Sequence, residues 1–188
     1  MNVKILLADK ENFFIIKNFI PLYREYIGKV YNELPNKYGI FSYDDSKTLG
    51  ELCDKRERWL QKPDELFPYI IYAYDRPVGY MLVSKVKQPA FEKSDYYLNV
   101  LFIVSSVRRR GIASTALKEV FDFFGGIWEV HTSSSDINIS TQKFWKNTIE
   151  KYTNGKYCSL IAKTTDNSEK LIFRFKSNSI TCKNSYEE

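Results

Sequence analysis

The chain has 188 residues, of which 44% are hydrophobic and 16% aromatic, enough for one domain with a sizeable core. Its net charge of +5 is modest. It would assist an anionic cofactor or a nucleic acid and decides for neither. No apolar run approaches the roughly 18–20 residues of a membrane-spanning helix. The opening M-N-V-K-I-L-L-A-D-K is too short, and too acidic at its end, for a secretory signal. A cytoplasmic location with no membrane partner is expected. Cys53, Cys158 and Cys182 are odd in number and far apart, and no C-x-x-C or His/Cys cluster occurs. They read as reduced thiols, and no metal site is expected.

In chain order, Val3–Ala8 reads as a first strand. Asn12–Lys29 carries Phe13, Phe14, Ile16, Phe19, Ile20 and Tyr23 near helical spacing, with Pro21 expected to interrupt or kink it. Asn36–Ser46 looks like a loop. Thr48–Gln61 reads as a second helix that Pro63 closes. Tyr69–Tyr74 and Val78–Val86 are predicted strands, with the turn at Asp75, Arg76 and Pro77. A loop over Gln88–Ser94 leads to a strand over Tyr96–Val104. Ile112, Ala116, Leu117, Val120, Phe121 and Phe124 then form one apolar helical face, with Lys118, Glu119 and Asp122 opposite. Gly125 and Gly126 end that helix. Ile127–Thr132 is a strand, Asn138–Tyr152 a helix, and Tyr157–Lys163 with Lys170–Lys176 a final hairpin. Residues 1–176 read as one domain. Residues 177–188 read as a polar, frayed tail.

The stretch Leu98–Leu117 concentrates the chemistry. An apolar strand runs into two serines, three arginines and Gly111, and the clearest helix of the chain follows. The first N–H groups of a helix lack intrahelical partners, and the helix dipole adds partial positive charge there. Gly111 lets backbone approach a ligand closely, and Ala113 adds little bulk. Arg108, Arg109 and Arg110 offer forked donors for phosphate. The combination points to a pyrophosphate-bearing ligand held largely by backbone.

Arg108–Ala113 reads R-R-R-G-I-A and resembles the Q/R-x-x-G-x-G/A signature of the GNAT superfamily of N-acetyltransferases. It stands where that signature stands, after a buried strand and opening a helix. Asn138–Trp145 resembles the family's N-x-x-A-x-x-F-Y/W, with Thr141 at the alanine position. With W-E-V at Trp128–Val130, the pattern is similar to a bacterial subgroup of predicted acetyltransferases. The element order β-α-α-β-β-β-α-β-α-β-β agrees with the family along its length. The resemblance implies an α/β (α+β) fold. Its mixed, mostly antiparallel central sheet would have splayed middle strands and about four flanking helices.

The resemblance further implies acetyl-CoA as cofactor. Its pyrophosphate would lie on the N–H groups of Arg109, Arg110, Gly111, Ile112, Ala113 and Ser114, with Arg108 beside them. Its pantetheine arm would follow the backbone of Phe102, Ile103 and Val104, and the Val104 N–H would face the thioester oxygen. Asn138 matches the asparagine that contacts the pantetheine arm in relatives; its type also suits a helix N-cap. An amine of pKa near 10.4 must lose a proton before it attacks. Glu129 stands where some relatives carry a catalytic carboxylate. His131, the single histidine, shares its strand face.

Three departures from the family pattern stand out. Trp145 occupies the place of a tyrosine acid and reads as core; Tyr152, two turns on, is a substitute. The loop from Glu129 to Asn138 is longer than usual in the family. Leu101 stands where the subgroup often carries a glutamate. The acceptor would be a small-molecule or peptide amine. Tyr23, Tyr26, Tyr31, Tyr38, Phe41 and Tyr43, with Asp44 and Asp45, would suit a cationic amine or serve a packed helical face. The leading function is transfer of an acetyl group from acetyl-CoA to a primary amine by direct attack. A catalytically silent acyl-CoA sensor and, third, a nucleic-acid binder through Arg108–Arg110 are the competing readings. No nucleic-acid partner is expected, and a homodimer is open.

Overall fold

The structure is a computed structural model that describes residues 2–85, 94–164 and 168–177. Seven strands form one sheet in the order β1-β2-β3-β4-β5-β7-β6. In chain order the elements are β1 (Val3–Leu7), α1 (Phe14–Tyr31), α2 (Leu49–Asp54), β2 (Leu66–Ala73), β3 (Arg76–Lys85) and β4 (Tyr96–Ile103). They continue with α3 (Ile112–Phe123), β5 (Gly126–Ser133), α4 (Ile139–Thr153), β6 (Tyr157–Lys163) and β7 (Glu169–Ser177). Neighbouring strands are antiparallel except β4 and β5, which run parallel. This is the mixed, mostly antiparallel sheet with four helices that the sequence implied.

Period-two alternation in the strands divides the core into two layers. On one face Ile70, Tyr80, Leu82 and Phe102 pack under Ile16, Phe19 and Ile20 of α1 and Leu52 of α2. On the other, Ile71, Met81, Val83, Leu98, Trp128 and Val130 pack under Leu117, Val120 and Phe121 of α3 and Ile149 of α4. Gly79 is where β3 and β4 press together. A Cβ there would stand 2.0 Å from the Phe102 carbonyl.

Several local expectations are corrected. Helix α1 runs through Pro21 without a break. Proline leaves the carbonyl four residues earlier without its N–H, and here the Lys17 carbonyl accepts from the Cys53 thiol at 3.4 Å. The second helix is only six residues long and gives way to a 3₁₀ turn over Glu57–Leu60. The β2–β3 turn is Tyr74 and Asp75, both at φ 55°. That pair of left-handed residues makes a two-residue hairpin, which leaves Arg76 and Pro77 in β3. The expected helix start at Asn138 is a 3₁₀ turn over Asp136–Asn138.

The expected tail begins one residue too early. Ser177 is buried at the end of β7. Its hydroxyl donates to the Phe124 carbonyl at 2.6 Å and accepts from the Gly126 N–H and the Trp128 indole, both at 3.1 Å. It closes the polar groups left where α3 hands over to β5. The loop expected over 88–94, apart from Ser94, and the tail from 178 lie outside the described residues. Among the described residues no helix is long and apolar enough to cross a membrane.

Ser177→Ala deprives the Gly126 N–H of its acceptor. The expected cost is about 1–3 kcal/mol of stability, read from urea unfolding; an unchanged midpoint contradicts this role.

Candidate functional site

β4 and β5 pair at only three positions: Tyr96 with Trp128, Tyr97 with Glu129 and Leu98 with Val130. Both strands then continue without each other. The parting starts at a bulge. Leu98 pairs with Val83 and Val100 with Leu82, so Asn99 is the extra residue. A bulge raises local twist and bends its strand, here at the point where β4 leaves β5. Two cavities open along the parting, of about 660 Å³ and 450 Å³. They share Tyr26, Leu101, Thr141 and Trp145 in their walls. The expected splay is present.

The smaller cavity ends at the start of α3. Arg109 at φ 62° and Gly111 at φ 81° are left-handed and turn the chain sharply into the helix. Beyond its two chain neighbours, no atom of the described residues lies within 4 Å of where a Gly111 Cβ would stand. Helix α3 has no side-chain cap. Thr115 is the residue whose N–H returns to the Gly111 carbonyl, at 3.0 Å. The amides of Ile112, Ala113 and Ser114 therefore precede the helical ladder and point from its positive end. Ile112 is buried, so only its backbone is available. Uncapped amides, an open glycine and exposed Arg109 and Arg110 fit a diphosphate.

The arginine triplet divides its labour. Arg108 donates from Nε to the Ile103 carbonyl at 2.7 Å and stacks on Tyr26 with its guanidinium carbon 3.8 Å from the ring centroid. It fastens the loop to β4 and α1. Arg110 donates to the Tyr74 phenol at 3.2 Å.

The backbone expected to face a ligand along β4 is corrected by alternation. The Val104 N–H donates to the Val78 carbonyl at 2.9 Å, so it is not open to a thioester oxygen. By the two-residue repeat, Phe102 also turns its backbone to β3, opposite Tyr80. Leu101 and Ile103 present theirs to the parting, and the Ile103 carbonyl is already held by Arg108.

The larger cavity holds the candidate proton-transfer group. Glu129 is buried and accepts from the Ser94 hydroxyl through Oε1, while its Oε2 stands 3.0 Å from His131 Nε2. His131 lines the cavity and Glu129 does not. A carboxylate only accepts, so Nε2 carries the proton and Nδ1 keeps the lone pair. The Tyr97 ring lies edge-on to the imidazole at 4.7 Å. Burial pushes the His131 pKa below its ordinary value, and Glu129 partly opposes the shift. The expected order of the two residues is reversed: histidine faces the cavity, and glutamate stands behind it.

Asn138 lines the same cavity. Its amide nitrogen donates to Thr132 Oγ1 at 2.7 Å and to the Ser133 carbonyl at 3.2 Å, and its side chain does not cap α4. Tyr31 reaches across from α1 to hydrogen-bond Ser133. Trp145 is buried yet forms part of both cavity walls. Tyr152, the expected substitute acid, donates to Asp122 at 3.0 Å and packs on Phe121, away from both cavities. Ser94 was not singled out from sequence. No motif surrounds it, and it reaches the site only through tertiary contact.

The acceptor expectation is corrected in part. Tyr23, Tyr26, Tyr31 and Tyr43 line the larger cavity, but Tyr38, Phe41, Asp44 and Asp45 do not. Asp44 is bound by Lys55 at 2.8 Å and by nearby serines, which hold its carboxyl well below the usual range. Asp45 stands 4.0 Å from Lys37.

The sequence matches the acetyltransferase (GNAT) family over residues 29–147. No curated protein matches it. PaiA N-acetyltransferase from Thermoplasma acidophilum, solved with coenzyme A, is 12% identical, with TM-score 0.60 over 94% of this chain and 99% of its own. AAC(6')-Ib, solved with ribostamycin and coenzyme A, is 12% identical, with TM-score 0.63 over 94% of each chain. An acetyltransferase from Thermus thermophilus is 13% identical, with TM-score 0.58 over 94% of this chain and 97% of its own. At such identities these likenesses speak for the fold. The family match runs from the end of α1 into α4 and spans the parted strands and the arginine turn. The chain thus belongs to the GNAT acetyltransferase family, and its cofactor is acetyl-CoA.

Proposed function

We propose that the protein acetylates a primary amine by direct attack, with His131 taking the amine's proton and Glu129 acting as a positioning residue. The observation that carries this reading is the parting of β4 and β5, which joins the α3 N-terminus at one end to His131 at the other. Residues placed to hold the cofactor are Arg109, Arg110, Gly111, Ile112, Ala113 and Ser114 at the turn. Leu101 and Ile103 follow along β4, with Asn138 on the opposite wall. When bound, acetyl-CoA supplies an acyl carbon activated as a thioester.

His131 suits the proton-transfer role on geometry first. Its Nδ1 lone pair is available while Nε2–H is fixed by Glu129, and the Tyr97 edge holds the ring. Its lowered pKa keeps it neutral at pH 7, ready to accept a proton. Direct attack is favoured because no cysteine among the described residues lines either cavity. Cys53 is buried against Lys17, and Cys158 lies exposed on β6.

Gly111→Glu places bulk and negative charge at the diphosphate position. Calorimetry should show CoA affinity reduced at least about tenfold, while circular dichroism stays native. Undiminished affinity would remove the turn from the cofactor site.

His131→Gln should lower kcat by about 10²–10⁴-fold. In the parent protein, kcat/KM should fall as pH drops through the His131 pKa, below about 6.5. That acid limb should vanish in the variant. Glu129 raises the His131 pKa, so Glu129→Gln should move the limb to lower pH as well as slow turnover. A limb unmoved by Glu129→Gln leaves Glu129 with a packing role only.

A further inference from the structure

We propose that the acceptor is a zwitterionic amine, its amino group within a few bonds of a carboxylate or phosphate that Lys170 binds. This rests on the acetyl transfer proposed above and names its substrate class. The inference starts from the charges around the larger cavity. Its one carboxylate among the described residues is Glu33. Glu33 is already engaged: the buried Arg24 guanidinium stands 3.7 Å away, stacked under the Tyr43 ring at 3.5 Å. Lys170 also lines the cavity, with no ion-pair or hydrogen-bond partner among the described residues. His131 is neutral at pH 7. Among the described residues that line the cavity, one charge is thus uncompensated, and it is positive; the Glu129 carboxylate stands behind His131 and does not line the wall.

The position of Lys170 follows from register. His131 on β5 faces Ile172 on β7, and Ser133 faces Lys170. Residues 129, 131 and 133 share one sheet face with 170, 172 and 174. Lys170 is thus a diagonal neighbour of His131, about 7–8 Å away in backbone terms. Its charge is felt there, since it contributes to the lowered His131 pKa. An amine at His131 Nδ1 and an anion at the Lys170 ammonium belong to one small molecule. A polycation would meet Lys170 with no free carboxylate among the described lining residues to offset the repulsion. Five tyrosines, Tyr23, Tyr26, Tyr31, Tyr43 and Tyr97, also line the cavity. Such faces cover an apolar or aromatic body.

The test is thiol release from acetyl-CoA with matched amines. Phenylalanine is set against phenethylamine and leucine against isoamylamine, with 1-amino-2-phenylethylphosphonate and spermidine added. The zwitterionic member of each pair should have a kcat/KM about tenfold higher, mostly through KM. The carboxylate and phosphonate arms show which anion the site takes. Lys170→Gln should erase the preference, and Lys170→Glu should reverse it. CoA affinity should be the same in all three proteins. Equal rates within the pairs, spermidine as best acceptor, or a preference that survives Lys170→Gln would overturn the proposal. If CoA binds and no amine turns over, the acetyl-transfer reading fails on its own. Calorimetry of phenylalanine against phenethylamine with the CoA-loaded protein then decides the anion site. Tighter phenylalanine binding that Lys170→Gln abolishes supports it, and equal binding overturns it.

Discussion

Everything at the site depends on one junction, the short parallel pairing of β4 with β5. The other strand pairs of the sheet are antiparallel, and such neighbours can be joined by tight turns. Parallel neighbours need a crossover. Helix α3 is that crossover, so its N-terminus must start where β4 ends. The helix end with unsatisfied N–H groups is thereby delivered to the open end of the cleft. Pairing stops after Leu98 and Val130, which leaves backbone edges on both strands. Backbone polar groups need partners. Val104 finds one on β3 and Ile103 one in Arg108, so the unspent groups cluster at Leu101 and at the Ile103 N–H.

The same junction explains how an ionisable pair is tolerated inside the sheet. A buried carboxylate is costly unless hydrogen-bonded. Glu129 receives Ser94 on one oxygen and His131 on the other, which fixes the imidazole and its tautomer together. Tyr97, which pairs with Glu129 in register, also packs its ring against His131. Glu129 and Tyr97 of the parallel junction, with Ser94 just before β4, thus set the orientation of the imidazole that lines the larger cavity.

The strands, α3 and the arginine turn were legible because their signals are local. Period-two runs, an apolar helical face and a glycine at a helix start are each read within a few residues. The parted strands came through the family resemblance, and the side of β4 that faces the ligand did not. Alternation around the Asn99 bulge decides it, and a bulge leaves no mark in composition. The expected break at Pro21 failed because Cys53, 32 positions on, supplies the hydrogen bond that proline withholds. Glu129 and His131 were recognisable as neighbours by spacing alone. Which of them meets the cavity depends on Ser94, which approaches from a different part of the chain.

Selectivity at the acceptor end is a matter of which charges are cancelled. Asp44 and Asp45 stand among the aromatics in sequence and suggest a cation site. Lys55 and Lys37 cancel them in space, and Arg24 cancels Glu33. These pairs are partly exposed, so each contributes little stability. With them engaged, no free carboxylate is left among the described residues that line the cavity, while Lys170 remains. Discrimination between acceptors can come from repulsion as readily as from attraction. In the acceptor reading proposed above, one free ammonium on a wall with five tyrosines would disfavour polycations. The same ammonium lowers the His131 pKa, which would tie substrate choice to proton transfer at a single strand pair.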